Sequence, residues 1–189
     1  MAGTAQHRQP DDPGALLATT HEVGGGLHVR LRLTRPSDAE PVRAFLESLS
    51  PETRRRRFLA ATPVVTPALV RSFAFYDPRE RLVVAATAPI DGREAVLGIA
   101  DVAFSGATPA ELGVVVAEEQ QGSGIGTLLV QAAAALGAQR GAKWVRADML
   151  CDNARMLRLM ERLGQTVRTY DEGTMSAYTK VPLRGRRAA

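Results

Sequence analysis

ELGVVVAEEQQGSGIG, residues 111–126, begins as an apolar, β-branched run, crosses four polar residues and ends in glycines at positions 122, 124 and 126. LLVQAAAALG follows at 128–137, with apolar residues at helical spacing. That order reads as strand, tight turn and helix start. The glycines remove side chains where such a turn meets a ligand, and the first amides of a helix have no carbonyl partner within it. A phosphate or pyrophosphate suits this turn. The alternative is a glycine-rich connection with no ligand. No Lys-Ser/Thr pair closes the turn, so it is not a nucleoside-triphosphate loop. A dinucleotide fold would place the signal near its first strand, not two thirds along the chain.

Gln121-Gly122-Ser123-Gly124-Ile125-Gly126 resembles the acyl-CoA pyrophosphate loop of the GNAT superfamily of N-acetyltransferases, whose pattern is Gln or Arg, two residues, Gly, one residue, Gly or Ala. AELGVVVAEE before it resembles that family's fourth strand, and Asn153 to Gly164 resembles its next helix. The likeness runs over residues 29–181, with three motifs in the right order. It implies an α/β (α+β) fold of the GNAT acyl-CoA N-acyltransferase type, with a mixed central β-sheet of six to seven strands flanked by helices. Acetyl-CoA is the implied cosubstrate, with no metal. Gln121, Gly122, Ser123, Gly124, Ile125, Gly126 and Asn153 are the implied coenzyme contacts.

Val115, Val116 and Ala117 fall where the family splays two parallel strands apart, so that pantetheine amides pair with exposed backbone like an added strand. Glu111 takes the position of the glutamate that acts on the acceptor amine as general base, directly or through water. The chemistry needs such a group, because an alkyl amine is protonated near neutral pH and must lose a proton before attacking a thioester. A rim carboxylate with a structural role is the other reading of Glu111.

With 189 residues the chain suggests one domain with enough core to fold without staples. One cysteine, Cys151, excludes an internal disulfide and a clustered cysteine zinc site. There is no apolar run long enough to span a bilayer and no basic-then-apolar leader, so a cytoplasmic protein that binds no membrane is expected. The net charge of +4 could aid an anionic cofactor or reflect arginine-rich composition. Basic residues are not interleaved with regularly spaced aromatics, so nucleic acid is not an expected partner.

Residues 1–26 are rich in Gly, Pro and Thr without periodicity, and a disordered or loosely attached extension is expected there. The domain proper is expected over 27–183, with a basic tail at 184–189. HVRLRLT at 28–34 alternates as a strand, with Val29, Leu31 and Leu33 on one face. Ser37 and Glu40 have capping-box spacing before an amphipathic helix bearing Val42, Leu46 and Leu49. Ser50-Pro51-Glu52 opens a second helix and Thr66-Pro67 a third.

RLVVAATA and EAVLGIADVAF flank an Asp91-Gly92 turn and form a hairpin, its continuous apolar runs marking strands covered on both faces. A strand is expected through Trp144, a helix from Asn153 to Gly164, and two final strands around residues 171–173. Arg54 to Arg57 are either a solvated helix face or include contacts to an acidic substrate or the coenzyme's 3′-phosphate.

LTRPSD…LESLSPETRRRRFL also resembles the opening of the GNAT domains in bacterial protein lysine acetyltransferases, and the chain length leaves no room for the regulatory domain fused to some of them. A protein lysine is therefore the expected amine acceptor. A small amine, a polyamine or an aminoglycoside is the alternative, and a homodimer is compatible with the sequence.

The chain departs from the family pattern at Met156, Met160 and Gln165, where Ala, Tyr and Phe are usual. That tyrosine often protonates the departing thiolate, and a thioether has no proton to give. A catalytically weak acyl-CoA-binding regulator is the reading that this departure favours.

Overall fold

The computed structural model describes residues 17, 19–60, 64–105 and 109–181. Its strands are β1 Thr20–Val23, β2 Leu27–Leu33, β3 Arg81–Ile90, β4 Arg93–Ala103, β5 Ala110–Val116, β6 Trp144–Leu150, β7 Thr166–Asp171 and β8 Thr174–Lys180. They form one sheet in the order β1-β2-β3-β4-β5-β6-β8-β7. Every neighbouring pair is antiparallel except β5 and β6.

The expected six to seven strands are thus eight. The additional one, β1, lies in the stretch read as a loose extension, where it pairs with β2 through His21↔Val29 and neighbouring positions. THEV is too short to show periodicity, and its order comes from the edge of β2. Residues 1–16 and 18 of that stretch and the 184–189 tail lie outside the described residues.

Among the described residues five helices flank the sheet: α1 Ala39–Ser48, α2 Pro51–Phe58, α3 Pro67–Ala74, α4 Ile125–Gln139 and α5 Ala154–Leu163. Two cores result. On the back face α4 and α5 bury Leu129, Ala133, Met156 and Met160 against Val29, Leu31, Val145, Met149 and Met175. On the front face α1 and α3 bury Val42, Leu46 and Phe73 against Val83, Ile99 and Val115. Val83 to Ala88 are all buried because β3 is covered on both sides, which is why its sequence does not alternate. Each large apolar side chain so enclosed stabilises the fold by about 1.5–3 kcal/mol. Leu33 lies beyond this cover and is exposed.

Ser50 Oγ accepts the Thr53 amide at 3.1 Å and Thr66 Oγ1 accepts that of Leu69 at 3.1 Å, so α2 and α3 start at their Ser-Pro and Thr-Pro signals. The Ser37–Glu40 box is not formed. Asp38 instead reaches back to the Arg35 amide at 2.8 Å, held there by two hydrogen bonds from Arg32 at 2.7 and 2.9 Å. A charged partner already on β2 outweighs a local hydroxyl cap.

Candidate active site

The site begins where the one parallel pair parts. β5 and β6 are in register only at Ala110↔Val145 and Glu111↔Arg146. Beyond that point β5 continues beside β4 to Val116↔Gly98 with no strand among the described residues paired to its other edge. Peptide groups along a strand point alternately to its two sides. The Ala117 amide donates to Leu97 O at 2.9 Å, so the groups of Val115 face β4 and those of Val114 and Val116 face the opening.

This refines the three positions named from sequence. Val116 faces the gap, whereas the Val115 side chain is buried in the front core and Ala117 has both backbone groups engaged, its carbonyl by the Gln120 amide at 2.9 Å. Val114 also faces the gap, with neither backbone group partnered among the described residues. Strand phase would have identified it, but the phase needs the β4 register.

A short 3-10 turn, Glu118–Gln120, leads from β5 into the glycine loop. Gly122 and Gly124 have φ of +87° and +106°, a region that L side chains rarely adopt, and nothing lies within 4 Å of where their Cβ atoms would be. The amides of Gly122, Gly124, Ile125 and Gly126 have no backbone partner among the described residues. They frame open space at the start of α4, the arrangement that suits a pyrophosphate.

The other loop residues divide. Gln121 lines the cleft, its amide donating to Val116 O at 3.2 Å while its oxygen accepts from Arg155. Ser123 turns away: its hydroxyl donates to Gln120 O at 2.6 Å and its carbonyl accepts the Gly24 amide at 2.8 Å, so the β1–β2 turn braces the loop. The Ile125 side chain is fully buried in the core. Asn153 lines the cleft and caps α5, its Oδ1 accepting the Met156 amide at 3.1 Å.

These elements enclose a cleft of about 1130 Å³ between α2, β5, the loop and α5. α2 is fixed over it by Glu118, whose carboxylate accepts the Ser50 amide at 2.8 Å. Burial pushes that carboxyl up, but hydrogen bonds from Ser50 and Thr53 outweigh it and hold Glu118 below its ordinary range.

Arg57 descends from α2 onto the sheet, paired with buried Asp101 and lying across Gly113. Its neighbour Arg56 crosses the cleft mouth to Asp152 with contacts of 3.0 and 3.1 Å. The four-arginine run is therefore not one solvated face. α2 turns Arg57 inward, a helical phase that four identical residues conceal.

Glu111 lines the cleft where β5 and β6 are still paired, about half exposed, with Arg146 Nη2 3.1 Å from Oε1. That same nitrogen is 3.0 Å from Asp148. Oε2 of Glu111 has no hydrogen bond among the described residues and is available to an amine or a water. Met160 is wholly buried on the back face and does not line the cleft, whereas Met156 and Leu159 do.

A family model for the acetyltransferase (GNAT) domain matches residues 28–166. The chain belongs to the GNAT acetyltransferases. Among solved structures it is similar to the GNAT domain of S. lividans PAT, at 25% identity and a TM-score of 0.75, covering 86% of this chain and 96% of that one. It is also similar to a cAMP-binding acyltransferase from Mycobacterium smegmatis, at 26% identity and a TM-score of 0.59, over 92% of this chain but 52% of that one. A Pseudomonas aeruginosa acetyltransferase is 32% identical over 107 residues, which is 56% of this chain and 58% of that protein. The match thus spans little more than half of that curated relative. No helix among the described residues is long and apolar enough to cross a membrane.

Proposed function

We propose that this GNAT protein transfers the acetyl group of acetyl-CoA directly to a primary amine, and that the amine is a protein lysine. The observation carrying the first part is the parting of β5 from β6 beside the glycine loop. Open backbone at Val114, the amide of Val116 and unpartnered amides at residues 122, 124, 125 and 126 offer pantetheine and pyrophosphate complementary partners in one continuous cleft.

Both substrates bind before chemistry. Glu111 accepts a proton from the ammonium, directly or through water, and the freed nitrogen attacks the thioester carbonyl. An amide facing the gap stabilises the oxygen charge as the C–N bond forms, the C–S bond breaks with CoA leaving as the thiolate, and the nitrogen's second proton passes to water as the amide is completed. The buried position of Met160 gives it no part in that departure.

A lysine acceptor is supported by what borders the cleft. On β8, Met175, Ala177 and Thr179 are buried behind the sheet, whereas Thr174, Ser176, Tyr178 and Lys180 keep exposure on the front. Arg146 and Asp148 of β6 border the cleft, and the sheet front beyond them is only partly covered, which gives room for a polypeptide and little enclosure for a small amine. The likeness to the S. lividans PAT domain points the same way.

Mass spectrometry of proteins and of a panel of free amines, incubated with acetyl-CoA and active protein, separates the acceptors. Acetyl-lysine on proteins is expected, and modification of free amines alone would overturn the lysine assignment.

A further inference from the structure

Resting on the acetyl-CoA reading above, we infer that Arg158 and Arg162 of α5 form the subsite for the coenzyme's 3′-phosphate. CoA carries a pyrophosphate and a separate phosphate on the ribose. The loop amides suit the first, so the second needs its own cations. The sequence offers the Arg54–Arg57 run for that task, but three of its members are engaged, Arg55 by Glu52 at 3.0 Å, and Arg54 does not line the cleft. Arg57 is committed to Asp101 and Arg56 to Asp152 and Glu52. On α5, Arg155 is bonded to Gln121.

Arg158 and Arg162 differ. Both line the cleft, and neither has a hydrogen-bond or ion-pair partner among the described residues. They stand one turn apart, a spacing at which like charges repel on an isolated helix. The one acid on α5, Glu161, is taken by Arg168. Two adjacent uncompensated guanidinium groups on a cleft wall match a dianionic phosphate, which they can engage through paired N–H donors.

Their wall adjoins the loop. Leu159, between them in sequence, has Cδ1 3.5 Å from where a Cβ on Gly126 would stand. The subsite is therefore on the helix that flanks the pyrophosphate loop, within reach of the adenosine end of a coenzyme seated there.

The test is calorimetric titration of wild type and the double variant R158A/R162A with acetyl-CoA and with its 3′-dephospho form. Wild type should prefer acetyl-CoA by about tenfold or more, the scale of one charge-assisted contact. The double variant should lose that preference while keeping its affinity for the 3′-dephospho form, and R158K/R162K should retain part of it. Thermal melting checks that each variant is folded. Equal wild-type affinity for the two ligands, or an equal loss for both in the double variant, would overturn the subsite while leaving acetyl-CoA binding intact. Failure of wild type to bind either ligand would overturn the acetyl-CoA reading itself.

Discussion

Arg57 lies so closely over Gly113 that a Cβ on that glycine would fall 2.5 Å from the guanidinium Cζ. Gly113 is in register with Asp101, the carboxylate that Arg57 meets, and the cation also stacks near Phe58 and Phe73 at 5.3 and 5.9 Å. The bare backbone of β5 is thus what admits a charged side chain from α2 to the cleft floor.

Gly113→Ala should displace Arg57 and leave Asp101 buried with only the more distant Arg81, 3.7 Å away. Breaking one side of a buried pair costs about 3–5 kcal/mol, so a destabilisation of a few kcal/mol in chemical denaturation is expected. A change below about 0.5 kcal/mol, the scale of an ordinary surface substitution, would show that Arg57 repacks freely.

Glu111→Gln keeps a hydrogen-bond acceptor toward Arg146 and removes the proposed base. Turnover should fall by about 10²–10⁴-fold, with acetyl-CoA affinity nearly unchanged. Turnover equal to wild type at every pH measured would remove Glu111 from the mechanism.

Cys151 is exposed in the turn after β6, and the lining of the cleft omits it. Cys151→Ala should retain most activity, and intact-mass analysis after acetyl-CoA incubation without acceptor should find no acetyl group on the thiol. An adduct there that forms and decays as fast as turnover would replace direct transfer with a two-step route.

Arg32 clamps Asp38 and Glu94 at the base of α1, with contacts of 2.7 and 2.9 Å. Burial pushes the Asp38 carboxyl up, but hydrogen bonds from Arg32 and the Arg35 amide outweigh it, while Arg32 holds Glu94 below its ordinary range. Lowered folded-state values mean stability that is present above the unfolded carboxylate range and is lost as pH falls through the folded values, below about pH 4. Asp38→Asn should destabilise by about 2–4 kcal/mol at neutral pH and flatten the acid limb of melting temperature against pH. An acid limb of unchanged slope in the variant would exclude Asp38 from it.

The strand, loop and helix of residues 111–126 were legible because glycine spacing, apolar phase and helix-start chemistry agree there. The strand that rides on β2 was not, since four residues of THEV carry no period and depend on pairing for their order. Cleft-facing residues were legible as a segment but not one by one. Ser123 and Ile125 belong to the motif and point away from the cleft, while Val114 and the arginines of α5 lie on it, and both depend on strand phase and helix rotation fixed by distant partners. Loop chemistry also bears on mutagenesis. Gly124→Ala forces a side chain into φ of +106° and should cost about 1–3 kcal/mol of folding stability on its own, measured by denaturation. A loss of coenzyme affinity in that variant has to be weighed against its loss of stability.

The central claim is that the gap between β5 and β6, with its glycine loop, holds acetyl-CoA. Calorimetric titration of the wild-type protein with acetyl-CoA tests it most directly. One site per chain is predicted, with CoA competing for it. No binding of either at millimolar ligand would contradict the account.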